Sequence, residues 1–322
     1  MGIHKEDILE TVTVKFAGDS GDGIQLTGDQ FGNTTAVAGN DFATFPDFPS
    51  EIRAPQGTTY GVSSYQIQFA SKDIYTPGDT PDVLVCFNPA ALKVNLSTVN
   101  KGGIIVVNED EFTDKNLKKA GFDSNPLDLN DRTLADFRVH KIPITKLTVE
   151  ALDDFDMGHK DKLRCKNFLA LGIVAWLFSR PLEPIESFLK SKFSKKPMIL
   201  EANVKALHTG FNICDTMEIF PVMYTVPPAK LEPGTYRNIN GALATAYGLL
   251  AASEKIDLPI VYSGYPITPA SEILHVLAAL KQFNVYTIQT EDEIDAITMA
   301  LGAAYGGSLG ITGSPGPGLA LK

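Results

Sequence analysis

Hydrophobic positions in the first 110 residues fall in short β-rich runs separated by longer amphipathic stretches, the pattern of a layered α/β fold. Residues 11–16 alternate β-branched and other side chains and predict a strand, which leads into Ala17-Gly18-Asp19-Ser20-Gly21-Asp22-Gly23. A helix is expected over 24–38, stopped by Gly39-Asn40. Residues 42–58 hold three prolines and little periodicity and read as a long loop, a kind of segment that tends to carry function or meet partners. Strands are expected at 61–69 and 83–87, a helix at 89–99 and a buried strand at 103–107.

The pattern then changes. Residues 108–160 are polar and irregular, with one strand expected at 138–142. Helices are expected at 165–178, 183–192 and 197–215. Pro221, Pro227, Pro228, Pro233 and Gly234 mark a stiff, extended linker. The expected division is a first domain over 1–215, a proline-rich linker over 216–238 and a second α/β unit over 239–322. Within the second, helices at 242–252, 271–281 and 291–305 alternate with strands at 258–262, 284–288 and 308–312. The chain stops just after the turn Gly313-Ser314-Pro315-Gly316-Pro317-Gly318. A parallel sheet ending there leaves an unpaired edge or an unfinished crossover. The expectation is therefore a piece of a longer polypeptide, or a remainder carried by a separate chain.

Composition narrows the function. The 322 residues are 44% hydrophobic and 20% charged, a globular balance with room for two cores. With 28 basic and 38 acidic residues the net charge is −10, which argues against general nucleic-acid or anionic-membrane binding. No apolar run approaches a membrane span, and the start of the chain lacks a signal-peptide core, so the expected location is cytoplasmic. Cys86, Cys165 and Cys214 are too few and too scattered for a four-thiolate cluster and read as buried core thiols. The five histidines show no metal-ligand spacing, and His275 reads as a surface or packing residue.

Four segments carry candidate chemistry. The glycine-aspartate loop invites a dinucleotide reading from Gly21-Asp22-Gly23, but Leu26 stands where the third glycine belongs and the aspartates would repel a pyrophosphate. It also suggests the Gly-Asp-Gly that, with a later Asn, holds magnesium and thiamine diphosphate. The window 47–52 has no Asn. A tight strand–helix turn with contacts to a partner is the remaining reading. Arg53 sits in a proline- and glycine-rich loop, where it could fork onto a carboxylate or phosphate, or pair with Glu51 or Asp47.

Tyr265-Pro266-Ile267-Thr268-Pro269 comes after a strand and opens into a helix, the place where α/β folds bind ligands. The same turn also serves as a rigid helix entry near Ser271. The acidic run Glu291-Asp292-Glu293-Ile294-Asp295 opposes a helix dipole. Behind Glu293, Ala296, Ala300, Ala303 and Ala304 share one face that lets another element come close, with Glu293 at its edge as a proton donor or acceptor.

Taken together, these residues resemble a known family. The run from Tyr265 through Pro269 to Ala270-Ser271-Glu272 is similar to the signature of the α subunit of 2-oxoacid:ferredoxin oxidoreductases. Glu291 to Ile297 and Gly302-Ala303-Ala304-Tyr305 are similar to the next helix of that subunit. Ser314-Pro315-Gly316-Pro317-Gly318-Leu319 resembles its Ser-Gly-Pro-Gly turn, with Pro315 a departure. Residues 11–107 resemble the γ domain of these enzymes, on the glycine-aspartate loop, Glu51-Ile52-Arg53 and Asp82-Val83-Leu84-Val85. The implied fold is a γ-type α/β domain followed by the first part of a thiamine-diphosphate-binding, pyrimidine-type parallel α/β domain.

That resemblance implies a subunit of a coenzyme A-dependent 2-oxoacid:ferredoxin oxidoreductase of the fused γ–α, 2-oxoglutarate-oxidising type. Such an enzyme decarboxylates the oxoacid to acyl-CoA and CO2, or runs in reverse, and passes electrons to ferredoxin. Pyruvate and branched-chain oxoacids are the alternative substrates. Thiamine diphosphate is shared with a β subunit that also carries Mg²⁺ and a 4Fe–4S cluster, in an expected dimer of heterodimers. Family offsets place the carboxylate for the cofactor's aminopyrimidine at Glu293, with Ala296, Ala300 and Gly302 behind it; from Glu291 the same offsets give Ile294, Thr298 and Ala300. Thr268 is implied as catalytic and substrate-binding, Arg53 as substrate-binding, and Tyr265, Pro266 and Ile267 as cofactor-binding. A further substrate Arg is expected beyond residue 322. Two other classes compete: a dinucleotide-binding regulatory module on residues 11–107, and a non-catalytic assembly subunit.

Overall fold

A computed structural model describes residues 5–48 and 61–322, which fall into two compact units, Met1–Pro233 and Gly234–Lys322. The first unit runs β1 (Lys5–Ile8), β2 (Thr11–Asp19), α1 (Ile24–Val37), β3 (Asp41–Asp47), β4 (Val62–Ala70), β5 (Val83–Cys86), α2 (Pro89–Asn95) and β6 (Ile104–Asn108). It continues through α3 (Asp114–Ala120), β7 (Arg138–Ile142), α4 (Ile144–Ala151), α5 (His159–Leu163), α6 (Lys166–Leu177), α7 (Glu183–Lys192), α8 (Pro197–Thr216) and β8 (Val222–Thr225). Its main sheet has the order β3-β4-β2-β5-β6-β7. Strands β2, β5, β6 and β7 are parallel, whereas β4 pairs antiparallel with both β2 and β3.

The central strands β5 and β6 are buried at every position because both faces are covered. Val83 and Val85 join Phe16, Phe31 and Phe69 in one core, while Leu84 and Cys86 join Ala91, Leu92 and Leu117 in the other. The period of two along β5 thus serves two cores at once. Helix α6 is apolar on nearly all sides and buried from Asn167 to Leu177, as an enclosed helix must be. It meets α8 through reciprocal glycines. A Cβ at Gly172 would collide with the Leu207 carbonyl, and one at Gly210 with the Leu169 carbonyl.

Three expectations are corrected here. Residues 41–47, expected to begin a long loop, form an edge strand instead, and Pro46 is tolerated because an edge strand need not donate every N–H. The rest of that expected loop, 49–60, lies outside the described residues. Residues 108–160, expected to be irregular apart from one strand, add helices α3, α4 and α5. These are short, so few apolar positions repeat; α3 is set by its ends, with Thr113 capping the start and Gly121 in the left-handed region closing it. Within 216–238, Val222–Thr225 pairs parallel with Lys5–Ile8. Pro221 and Pro227 bracket that four-residue run, so the prolines delimit a strand rather than dissolve it.

The second unit contains α9 (Gly241–Ile256), β9 (Ile260–Gly264), α10 (Ser271–Ala278), β10 (Val285–Gln289), α11 (Glu293–Tyr305) and β11 (Leu309–Ile311). Its three strands are parallel in the order β10-β9-β11. Ile260 and Tyr262 pack with Ala246 of α9 and with Leu274 and Leu277 of α10. On the other side Ser263 donates its hydroxyl to the Ala296 carbonyl of α11 at 2.7 Å. Among the described residues no helix is long and apolar enough to cross a membrane.

Two outcomes test this packing. Gly172→Ala should destabilise the protein by about 1–3 kcal/mol through overpacking, read as a lower denaturant midpoint with an unchanged slope. His140 of β7 lies 4.5 Å from the Phe220 ring and its Nδ1 is 2.8 Å from the Ile219 carbonyl. Burial holds the imidazole below its ordinary value near 6.5, with Arg138 adding to the shift and the Ile219 carbonyl opposing it. The unfolded chain therefore binds the extra proton first, and stability falls as the pH drops through that value. Urea unfolding between pH 7 and pH 5 should show a smaller loss in His140→Asn than in the wild type.

Candidate active site

In the second unit, the open end of the sheet is the carboxyl end of β9 and β11, and the sequence places its chemistry there. Strand β9 ends into Tyr265, followed by the turn 266–270 with a cis peptide at Thr268-Pro269. Ser271, the first residue of α10, ties this turn down. Its hydroxyl accepts from the Ile267 N–H at 3.0 Å and donates to the Ile267 carbonyl at 2.9 Å. Pro266 and Thr268 are left exposed on the turn and Ile267 is half-buried. Thr268 therefore offers its hydroxyl to solvent from a fixed backbone.

Glu293 comes to the same end of the sheet on α11. The Asp292 carboxylate accepts from the Asp295 N–H at 2.9 Å and caps the helix, which makes Glu293 its first residue. Of the expected alanine stripe, Ala296 and Ala300 are buried on the sheet side, whereas Ala303 is half-buried and Ala304 exposed, and Gly310 of β11 approaches so closely that a Cβ there would strike the Ala300 carbonyl. The half-buried Glu293 is thereby fixed beside Tyr265. Tyr265 is 7% exposed, and its hydroxyl lies 2.5 Å from Ser314 Oγ. Burial raises the phenol above its ordinary range; Ser314 opposes the shift and the Glu293 carboxylate adds to it.

The glycine turn completes the group. A Cβ at Gly318 would collide with Ser314 Oγ and would lie 2.5 Å from the Tyr265 hydroxyl and 3.2 Å from Glu293 Cγ. Lys322 Nζ donates to Thr312 Oγ1 at 3.0 Å and stands 5.4 Å from the centre of the Tyr265 ring. Burial lowers its pKa, and attraction to Glu293 acts against that. Tyr265 and Glu293 were legible as candidates and the structure joins them. Ser314 was visible only as part of the glycine turn, and nothing in the local sequence marked Lys322.

The donor set suits a neutral heteroaromatic ring that exchanges one proton, since Glu293 supplies a carboxyl within reach of solvent. It does not suit a diphosphate. Glu291, Asp292 and Asp295 crowd the same helix start and would repel one. The residues thus fit the aminopyrimidine half of thiamine diphosphate.

In the first unit, the glycine-aspartate loop ends β2 where the strand order turns, between β4 on one side and β5 on the other. It borders a cleft of about 280 Å³ lined by Asp19, Asp22, Asn88, Glu111, Lys119 and Lys166 among others. Asp22 is engaged internally, pairing with Lys166 at 2.8 Å and accepting from the Asp19 N–H at 2.9 Å. Asn88 Nδ2 donates to Asp19 Oδ1 at 2.8 Å. Burial, followed by the charge of Asp22, raises the Asp19 carboxyl above its usual range. The loop is a tight strand–helix turn, with Gly23 in the left-handed region at the entry to α1. Arg53 lies outside the described residues. All three cysteines are buried, and burial pushes the Cys165 thiol up to about 11, while His275 is exposed on α10.

Comparison with known proteins agrees with this division. The family model described as pyruvate ferredoxin/flavodoxin oxidoreductase matches residues 13–213, and that of the thiamine diphosphate-binding part of pyruvate flavodoxin/ferredoxin oxidoreductase matches residues 255–322. The 2-oxoglutarate oxidoreductase subunit KorA of Mycobacterium tuberculosis is 53% identical over 314 residues, covering 98% of this chain and 48% of that protein. The α subunit of 2-oxoacid:ferredoxin oxidoreductase 1 of Aeropyrum pernix is 26% identical over 193 residues, covering 57% of this chain and 29% of that one. Among solved structures, 2-oxoglutarate:ferredoxin oxidoreductase from Magnetococcus marinus, with 2-oxoglutarate, coenzyme A and succinyl-CoA bound, superposes with a TM-score of 0.69 at 29% identity. It covers 97% of this chain and 49% of that chain. The chain thus spans about half the length of the M. tuberculosis protein and less of the A. pernix one. With a family match over more than half of its residues, the chain belongs to the pyruvate ferredoxin/flavodoxin oxidoreductase family.

Proposed function

We propose that this chain is the γ–α part of a coenzyme A-dependent 2-oxoglutarate:ferredoxin oxidoreductase. The observation that carries the reading is the convergence of Glu293 and Tyr265 at the carboxyl ends of β9 and β11, within the stretch matched by the thiamine diphosphate-binding family model. The choice of 2-oxoglutarate is supported by the M. tuberculosis relative and by the ligands named for the M. marinus structure. In this proposal residues 1–215 form the γ-type domain, 216–238 the connection and 239–322 the start of the pyrimidine-binding domain.

When bound, thiamine diphosphate supplies the electron sink for loss of CO2. The tasks of this chain are narrower. Glu293 holds or gives one proton at its carboxyl oxygen, facing a ring nitrogen of the aminopyrimidine. Thr268 donates its hydroxyl to the oxoacid carboxylate from a turn whose backbone Ser271 has already fixed. Pro266 and Ile267 line the ring, and Arg53 is proposed as a guanidinium partner for a substrate carboxylate.

The remaining assignments follow from the family resemblance. The resemblance to the family places the 4Fe–4S cluster on a β subunit, together with Mg²⁺ and the diphosphate, and the three buried thiols described here, on separate elements, are not arranged to ligate one. Ferredoxin, the electron acceptor, docks mainly on that subunit, because this chain carries −10 and ferredoxins are usually acidic. The assembly is a dimer of these heterodimers, and the compartment is the cytoplasm. Coenzyme A takes the acyl group.

Glu293→Gln keeps the shape of the side chain and removes its proton chemistry. In the complete enzyme with its partner subunit, ferredoxin reduction by 2-oxoglutarate should fall about 10²- to 10⁴-fold with assembly intact. Unchanged turnover would defeat the reading and favour an assembly role. Thr268→Ala should raise the KM for 2-oxoglutarate about tenfold, the worth of one hydrogen bond to a charged group, in steady-state assays. An equal KM in the variant would remove Thr268 from the substrate site.

A further inference from the structure

Arg180, between α6 and α7, is only 4% exposed. Its guanidinium lies 4.7 Å over the Phe69 ring, and Nη1 donates to Asn40 Oδ1 at 2.6 Å. Among the described residues no acceptor reaches Nε or Nη2. A buried charge with one hydrogen bond is costly, and an aspartate at position 40 would be the simplest remedy. The chain has Asn40 there, itself 4% exposed. The reason lies at the other end of the amide. Asn40 Nδ2 donates to the Pro227 carbonyl at 2.7 Å and to the Val226 carbonyl at 3.2 Å, with the Ala70 carbonyl at 3.4 Å. Arg180 can only donate and these carbonyls can only accept, so an amide is the side chain that satisfies both sides. The next contacts continue the seam. The Ala229 N–H donates to the Gly39 carbonyl at 2.8 Å, and a Cβ at Gly39 would come within 3.1 Å of Pro228. From Lys230 to Asn240 every residue is exposed and lies outside helix and strand.

We infer that Arg180 and Asn40 form a clamp that holds residues 226–229 to the first unit, so that the free connection to the second unit begins at Lys230. This goes beyond the proposed function and is independent of it, since no residue of the candidate active site takes part. Arg180 orients the amide by holding Oδ1, and Nδ2 then holds the Val226 and Pro227 carbonyls of the departing chain. Pro227 and Pro228 suit the task, because they keep the held segment extended and have no N–H to satisfy. The clamp sets the length of the tether. Residues 230–240 extend to roughly 40 Å at most, whereas 216–238, the span expected from the prolines, would reach roughly 80 Å. Opening the clamp would add residues 226–229, roughly 14 Å, while Val222–Thr225 stays paired with Lys5–Ile8.

The test is amide hydrogen exchange on the complete protein with its partner subunit, read by mass spectrometry with overlapping peptides. In the wild type the Ala229 amide should be protected and the amides of 230–236 should exchange faster. Asn40→Asp keeps the shape of the side chain and its bond to Arg180, but sets a carboxylate against carbonyl oxygens. Ala229 should then exchange about tenfold to a hundredfold faster, the effect of losing one or two hydrogen bonds, with 62–70 and 222–225 unchanged. Arg180→Met should move Ala229 in the same direction by less. Its denaturant midpoint should be no lower than that of the wild type, because a buried charge has been removed.

The clamp is overturned if Ala229 is unprotected in the wild type, or if it keeps its protection in Asn40→Asp. A loss of protection spread equally over 62–70 and 222–225, with a lower midpoint, marks ordinary destabilisation and overturns it as well. Should Asn40→Asp fail to fold, Arg180→Met decides: unchanged protection at Ala229 in that variant rejects the clamp, and a local loss there upholds it.

Discussion

A parallel strand covered on both faces has only its ends left for chemistry. In the second unit β9 carries Ile260 and Tyr262 against α9 and α10 and Ser263 against α11, so these interior side chains are not free to meet a ligand. What remains is the carboxyl end. There the first residue after the strand, the first residue of a helix and a glycine turn are brought within a few ångströms of one point. The close contacts deeper in the unit serve this end. Gly310 lets β11 lie against the Ala300 backbone, and that spacing sets where Glu293 stands. The site is a by-product of how tightly one helix lies on β9 and β11.

The same constraint explains what the sequence could reveal. Runs such as Val83–Cys86 and Ile104–Asn108 are apolar almost throughout, and Lys166–Leu177 is apolar nearly all round, so their identity as buried elements was legible without coordinates. The bounds expected for Arg138–Ile142 and Glu183–Lys192 are those observed. Strand β3 was missed because its burial is partial and Pro46 argued for a loop. Helices α3 and α5 were missed because helices of 7 and 5 residues, rich in lysine, show too few apolar positions for a period to emerge.

For the site, residue type was readable and partnership was not. Glu293 and Tyr265 announced themselves by position relative to strand and helix ends. The contact of Tyr265 with Ser314 spans a separation of 49 residues in sequence, which no local pattern records. The glycine-aspartate loop shows the converse. Its aspartates looked chemical, but Lys166, far along the chain from Asp22, neutralises one of them in a pair whose side chains are only 16% and 14% exposed. Removing that lysine would strand a buried charge, so the loop's chemistry is largely structural.

Strand β3 has a consequence for how the sheets meet other chains. It ends the main sheet with Pro46 near its close and aspartates at both tips, and β7 ends the other side with Arg138 and Lys141. Both borders resist the addition of a foreign strand, since proline withholds a donor and charges are costly to stack. The small sheet has no such guard on β10, where Tyr286 and Ile288 are exposed. Among the described residues, the border open to a further strand therefore lies in the unit that carries Glu293.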